Sequence, residues 1–236
     1  MAYIKRFICL LLLSAFALEL FFVLRIAAGN VLPIRSTAFE RTAIVRLLLA
    51  GELKQWHREW RSYDNISENL KRAVVASEDS RFEEHFGVEW EAVWKAWQHN
   101  QRVQSARDAG SRGGTIRGGS TITQQLAKNL FLSTEQTYVR KGQELFITLA
   151  LETLLTKERL LELYLNHAEW GNGIYGAQAA AQTYYKHNAN NLSAVQAARL
   201  AAMLPRPRYY QNNQGSGYLQ RRAGQIMGGM PAVSIP

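Results

Sequence analysis

The chain has 236 residues, 47% hydrophobic and 20% charged, which is ample for a buried core and excludes a disordered tail protein. A single cysteine excludes a disulfide-stapled fold and any site that needs several thiolates. The formal charge of +9, with a pI near 9.8, favours an anionic partner such as nucleic acid, phospholipid head groups or a phosphorylated substrate, and a mean hydropathy of −0.22 excludes a polytopic membrane protein.

One membrane span is compatible with that average. Phe7 to Leu24 reads FICLLLLSAFALELFFVL, with Glu19 its only charge. At ~18 residues it is just long enough to cross a bilayer as a helix. Lys5 and Arg6 precede it, so the positive-inside rule keeps the N-terminus in the cytoplasm and places the rest of the chain on the outer side. A cleaved signal peptide is the competing reading, because Ala15-Phe16-Ala17 resembles a cleavage site. That tripeptide, however, lies inside the apolar run, with Leu18, Leu20, Phe21, Phe22 and Val23 still to come. Cys9 falls within the span, so the exported part carries no thiol. The export of the basic domain disfavours nucleic acid as its partner.

Residues 28–63 read as a connector, with a short amphipathic helix over Arg41 to Leu53. Asn65 or Ser67 caps a helix running to Ala76. Trp90, Val93, Trp94 and Trp97 recur at helical spacing and are read as a core face, with membrane-surface or sugar-stacking roles left open. Gln98 to Gly119 is rich in Gln, Ser, Gly and Arg. Its arginines at 102, 107, 112 and 117 match neither helix nor strand period, which predicts a mobile basic loop. Helical patterns follow over Thr121–Phe131, Tyr138–Leu155, Lys157–Leu165, Gly176–Tyr185 and Ser193–Leu204, the last stopping at Pro205. No β-rich alternation of useful length appears. The tail is expected to be part helix, from Tyr218 to Met227, and part frayed.

Three stretches could carry chemistry. Glu78-Asp79-Ser80-Arg81-Phe82 ends a helix, with His85 and Gly87 just beyond. A carboxylate leaving a helix toward a cleft can serve as a general base if burial raises its pKa, although a solvated helix end paired with Arg81 fits the same residues. Gly118-Gly119-Ser120-Thr121 opens a helix with the capping box Thr121-x-x-Gln124, and a helix start with open N–H groups attracts phosphate. Gln124 and Lys128 share a face there. Arg140-Lys141-x-x-Glu144 places two cations beside a carboxylate, either as an ordinary surface ion pair or as an anion clamp. The five histidines show no metal-ligand spacing, and there is no GxSxG elbow. An anchored, basic, mostly helical domain with separated carboxylates and a phosphate-friendly helix start suits a membrane-bound, phosphate-linked substrate.

In order, EDSRFEEHFG (Glu78 to Gly87), GGSTITQQLAKNLFL (Gly118 to Leu132), RKGQE (Arg140 to Glu144), KERLLELYLN (Lys157 to Asn166) and EWGNGIYGAQAAAQTYY (Glu169 to Tyr185) resemble the five motifs of the peptidoglycan glycosyltransferases, glycosyltransferase family 51. The resemblance is to the monofunctional type, since no transpeptidase domain and no Ser-x-x-Lys motif follows. It implies a mainly α, lysozyme-like domain with a smaller membrane-facing lobe, preceded by one transmembrane helix. The expected layout is a cytoplasmic N-terminus at 1–6, an anchor at 7–27, a connector at 28–63, the transferase domain at 64–210 and a tail at 211–236. It implies polymerisation of lipid II into β-1,4-linked glycan strands on the outer side of a bacterial inner membrane, with inversion and release of the polyprenyl diphosphate. The growing strand, the membrane and other wall or division proteins are the expected partners.

Carried over by position, Glu78 resembles the general base and Glu144 the second carboxylate, near the donor diphosphate or a divalent metal. Ser120, Gln124, Gln125, Lys128, Arg140 and Lys141 resemble the donor pocket, and Thr121, Asn129, Arg81 and His85 join them as substrate-binding candidates. No cofactor is obligatory, with Mg2+ or Mn2+ at Glu144 left open. Members often carry a further basic residue where this chain has Gln143 or Gln136, which shifts the expected load to Arg140, Lys141 and the arginine-rich loop. Two readings compete with the transferase: a lysozyme-like enzyme cleaving finished glycan, and a non-enzymatic anchored adaptor.

Overall fold

The computed structural model describes residues 2–30, 32, 34–108, 114, 118–133, 135 and 137–236. Helix α1 (Ala2–Ala28) has no interior glycine or proline and ends at Gly29. Its 27 residues give a rod of roughly 40 Å at 1.5 Å per residue. Most of it stands clear of the domain, long and apolar enough to cross a membrane. Its last two turns do not: Phe22 and Ile26 are buried, helix α1 packs on a later helix over residues 138–154, and the Phe22 ring lies 5.3 Å from that of Phe131. The apolar helix therefore passes into the domain without a free hinge.

Helix α2 (Ala38–Leu49) is capped by Thr37 in a full capping box with Glu40. Glu40 is buried, 2.8 Å from Nδ1 of His167 and 3.1 Å from Nε of Arg58. Burial lowers the His167 pKa, so a neutral imidazole donates to this carboxylate. Strand β1 (His57–Arg58) follows, then α3 (Glu68–Glu78), whose start is fixed by the Ser67 hydroxyl accepting from Leu70 N at 3.2 Å.

Helix α4 (Trp90–Asp108) corrects two expectations. The expected loop from Gln98 is helical as far as Asp108, because Val93, Ala96, Asn100 and Val103 continue one inward stripe at helical spacing. Arg102 and Arg107 thus lie on a helix, and Arg112, Arg117 and Gln136 fall outside the described residues. The tryptophans are also not a core face. Trp90, Trp94 and Trp97 are 68%, 57% and 51% exposed, and Trp94 and Trp97 stack on each other at 5.0 Å.

Helix α5 (Ile122–Phe131) packs against α2, α6 (Tyr138–Leu154) and α7 (Lys157–His167). Every residue of α7 from Leu160 to His167 is buried, so it is the central rod of the domain. Strands β2 (Glu169–Gly171) and β3 (Ile174–Tyr175) complete a three-stranded sheet in the order β1-β3-β2, with β1 parallel to β3 and His57 opposite Ile174. These short strands carry no readable alternation, and long-range pairing creates them. Helices α8 (Ala177–Tyr185), α9 (Ala194–Met203), α10 (Pro207–Gln211) and α11 (Gly217–Gly229) close the domain, with α3 packed on α9 and α11. The tail is docked, not frayed. Arg72 donates to the Val233 carbonyl at 2.7 Å, and the Tyr63 hydroxyl bonds the Pro236 carbonyl. The architecture is the mainly helical one expected.

Candidate active site

The site is built where α3 ends against the start of α5. Glu78, the last residue of α3, is half-buried. Its Oε1 accepts from the Ser77 hydroxyl at 3.2 Å and its Oε2 from the Gln125 amide at 3.0 Å. Gln125 is held in turn, because its carbonyl oxygen accepts from the Tyr164 hydroxyl at 3.0 Å. Desolvation raises the Glu78 pKa. The Gln125 and Ser77 hydrogen bonds and the Arg222 charge pull it back, while the Asp79 charge adds to the rise. The result is a carboxylate above its usual range, oriented by two donors.

The neighbouring Asp79 has a different job. It is buried, its Oδ2 accepts from the backbone N–H of Ile122 at 3.0 Å, and its Oδ1 lies 2.8 Å from Nε2 of His85. It ties the end of α3 to the first turn of α5. Gly87 makes a second tie, its carbonyl accepting from the Thr121 hydroxyl at 2.6 Å. Gly87 has φ of 76°, and a Cβ there would sit 2.7 Å from Thr148 Cγ2, so only glycine fits the turn.

Beside this junction lies a cleft of about 530 Å³, lined by α5, the start of α6 and α2. Ser120, Gln124, Gln125, Lys128, Arg140, Lys141 and Glu144 all line it, as expected from sequence. Glu144 is buried and paired with Arg140 Nη1 at 2.6 Å and with Lys141 Nζ. Burial lowers the Lys128 pKa, Glu144 opposes that, and Arg140 and Lys141 add to it. Three cations against one carboxylate leave the cleft net positive.

Four other candidates do not line it. Thr121 is buried and spent on the helix cap and on Gly87. His85 is turned to Asp79, and its carbonyl accepts from Lys157 at 2.7 Å. Arg81 is bound by Glu89 and Glu91, the latter at 2.9 Å. Asn129 lies on α5 outside the cleft lining. The helix start also departs from expectation. Two of its first N–H groups are taken, that of Ile122 by Asp79 and that of Gln124 by the Thr121 hydroxyl, so an anion would lean on the cations more than on the helix end. Phe39, Thr137 and Tyr138 line the cleft unforeseen. Tyr138 adjoins the Arg140-Lys141 pair in sequence, whereas Phe39 arrives from α2 with no local signal.

A resident divalent cation does not fit Glu144, whose two oxygens are each taken by a cation with Lys128 nearby. Among the described residues, Asp79, His85 and Glu89 could also converge on an ion, but the Arg81 guanidinium already occupies Glu89.

A family model described as Transglycosylase matches residues 46–231. Curated proteins named biosynthetic peptidoglycan transglycosylase are similar over most of their length. That of Paraburkholderia phytofirmans is 49% identical over 220 residues, 93% of this chain and 88% of that protein. That of Bordetella avium is 54% identical over 201 residues, covering 85% and 82%. That of Burkholderia thailandensis is 50% identical over 220 residues, covering 93% and 82%.

Proposed function

The chain belongs to the transglycosylase family, and from that premise we propose that its cationic cleft holds the diphosphate and sugar of lipid II while Glu78 takes the proton of the acceptor sugar. The protein is a peptidoglycan glycosyltransferase that polymerises glycan strands in cell wall synthesis. The observation that carries the assignment of roles is the link through Gln125. One side chain lines the cleft and also orients the raised-pKa carboxylate of Glu78.

The chemistry follows from the charges. A sugar hydroxyl is a weak nucleophile, so a base must remove its proton as its oxygen attacks the donor's anomeric carbon. Glu78 accepts that proton. The bond from that carbon to the diphosphate oxygen breaks on the opposite face, with inversion. The departing electron pair stays on the diphosphate, where Lys128, Arg140 and Lys141 neutralise it, so little acid assistance is needed. Glu144 holds Arg140 and Lys141 in place. Nothing in a hydrolase reading calls for this cationic cleft.

Polymerisation of lipid II by the purified full-length protein, with and without chelator, tests the reading. Lys128→Ala and Lys141→Ala should each weaken donor use by ~1.5–3 kcal/mol, the range for hydrogen bonds to charged groups. The half-buried Lys128 should give the larger loss, since fewer waters screen it. Parental rates in both variants would show that the clamp is misplaced.

The same proposal places α1 across the inner membrane with the catalytic domain outside. Full-length protein should fractionate with membranes, and protease added from outside should digest the domain. A soluble form beginning near Leu18 would show a cleaved leader instead.

A further inference from the structure

A second concavity of about 500 Å³ adjoins the cationic cleft. Val88, Val93, Ala96 and Trp97 form one wall and Leu145 of α6 the other, with Gly119 in its lining. The two cavities share Ser120, Gln124, Tyr138 and Lys141, so a ligand can run from one to the other without leaving the protein. Gly119 makes the junction. A Cβ there would lie 3.1 Å from the Val93 Cα and 3.3 Å from the Ala96 Cβ, so any other residue would push α4 a few tenths of an ångström away from the start of α5. Trp97, braced by its stack on Trp94, offers a broad apolar face at the rim.

We infer that this groove takes the first isoprene units of the donor's polyprenyl chain while its diphosphate sits among Lys128, Arg140 and Lys141. The inference rests on the functional reading above and extends it to the apolar part of the same substrate. A prenyl diphosphate joins its anionic head directly to its apolar chain, with no polar spacer. That is the order in which the cleft and groove meet. A phospholipid places glycerol and two ester groups between phosphate and chains, so its apolar part would begin beyond the shared walls.

The test is calorimetric binding to the full-length protein in dodecylmaltoside micelles, using inorganic diphosphate, geranyl diphosphate and farnesyl diphosphate. Affinity should climb about tenfold at each added length as apolar surface is buried. Val93→Ser, Leu145→Ser and the surface variant Trp97→Ala, each checked for helicity by circular dichroism, should flatten that climb about tenfold while inorganic diphosphate binds as before. An identical climb in parent and variants would assign it to the micelle and overturn the groove. Variant-sensitive binding of the prenyl forms without binding of inorganic diphosphate would retain the groove and overturn the clamp. No binding of any of the three would overturn both.

Discussion

Glu78→Gln should reduce glycan chain growth by about 10²–10⁴-fold, the range for loss of a general base, while lipid II binding stays near the parental level. The exchange removes the proposed proton acceptor and little else, because the amide is isosteric and can still accept one of the hydrogen bonds that Ser77 and Gln125 donate. With that oxygen toward Gln125, the Ser77 hydroxyl can turn to accept from the new amide hydrogens. There is also a gain. The native state binds the Glu78 proton more tightly than the unfolded chain does, because burial raises its pKa. Stability from this group is therefore present at low pH and falls as pH rises from the usual carboxylate range through the raised value. At neutral pH the buried charge costs stability, and the amide removes that cost. The thermal midpoint should stay within a few degrees of the parent, where ~1 kcal/mol corresponds to roughly 2–4 °C for a chain of this size. The same shift sets the pH profile of turnover. A general base works deprotonated, so with Glu78 in that role the parental rate should be full above the raised pKa and fall as pH drops through it, whereas the residual rate of the variant should lack that limb. Glu144→Gln should instead leave weak activity, since that carboxylate is paired with Arg140 and Lys141 and the proposed mechanism asks no proton transfer of it. Near-normal turnover in Glu78→Gln beside a dead Glu144→Gln would exchange the two roles.

Most of this site was legible because its residues travel in short segments whose local structure is self-determined. The Thr121-x-x-Gln124 box, the i,i+3 and i,i+4 spacing of Arg140 and Lys141 to Glu144, and the hydroxyl caps at Ser67 and Ser193 fix helix starts through neighbours in sequence. What was not legible depends on partners far along the chain. Phe39 reaches the cleft because Glu40 is pinned by His167, 127 residues away. The three-stranded sheet pairs residues 57–58 with 174–175, in strands too short to show a period. The tryptophan stripe has the spacing of a core face, and spacing alone cannot reveal that no element among the described residues covers it. The taken N–H of Ile122 was hidden for the same reason, because Asp79 sits 43 residues earlier.

Asp79→Ala should destabilise the fold by ~3–5 kcal/mol, because two hydrogen bonds to a charged group, each worth ~1.5–3 kcal/mol, are lost. Asp79 is 5% exposed and has both oxygens engaged, one by the first N–H of α5 and one by His85. Alanine leaves the Ile122 N–H without its acceptor and His85 without its partner. At roughly 2–4 °C per kcal/mol, the thermal midpoint should fall by about 10 °C or more. Asp79→Asn should lie between parent and Ala, because its one carbonyl can serve either Ile122 or His85 but not both. Activity should fall as well, through loosening of the α3 end that carries Glu78, and it should recover in part in Asp79→Asn along with stability. That covariation separates the two adjacent carboxylates. At Glu78, activity is lost with the fold intact. At Asp79, activity follows the fold. An Asp79→Ala protein with a parental thermal midpoint and no turnover would contradict this division and place Asp79 in the chemistry itself.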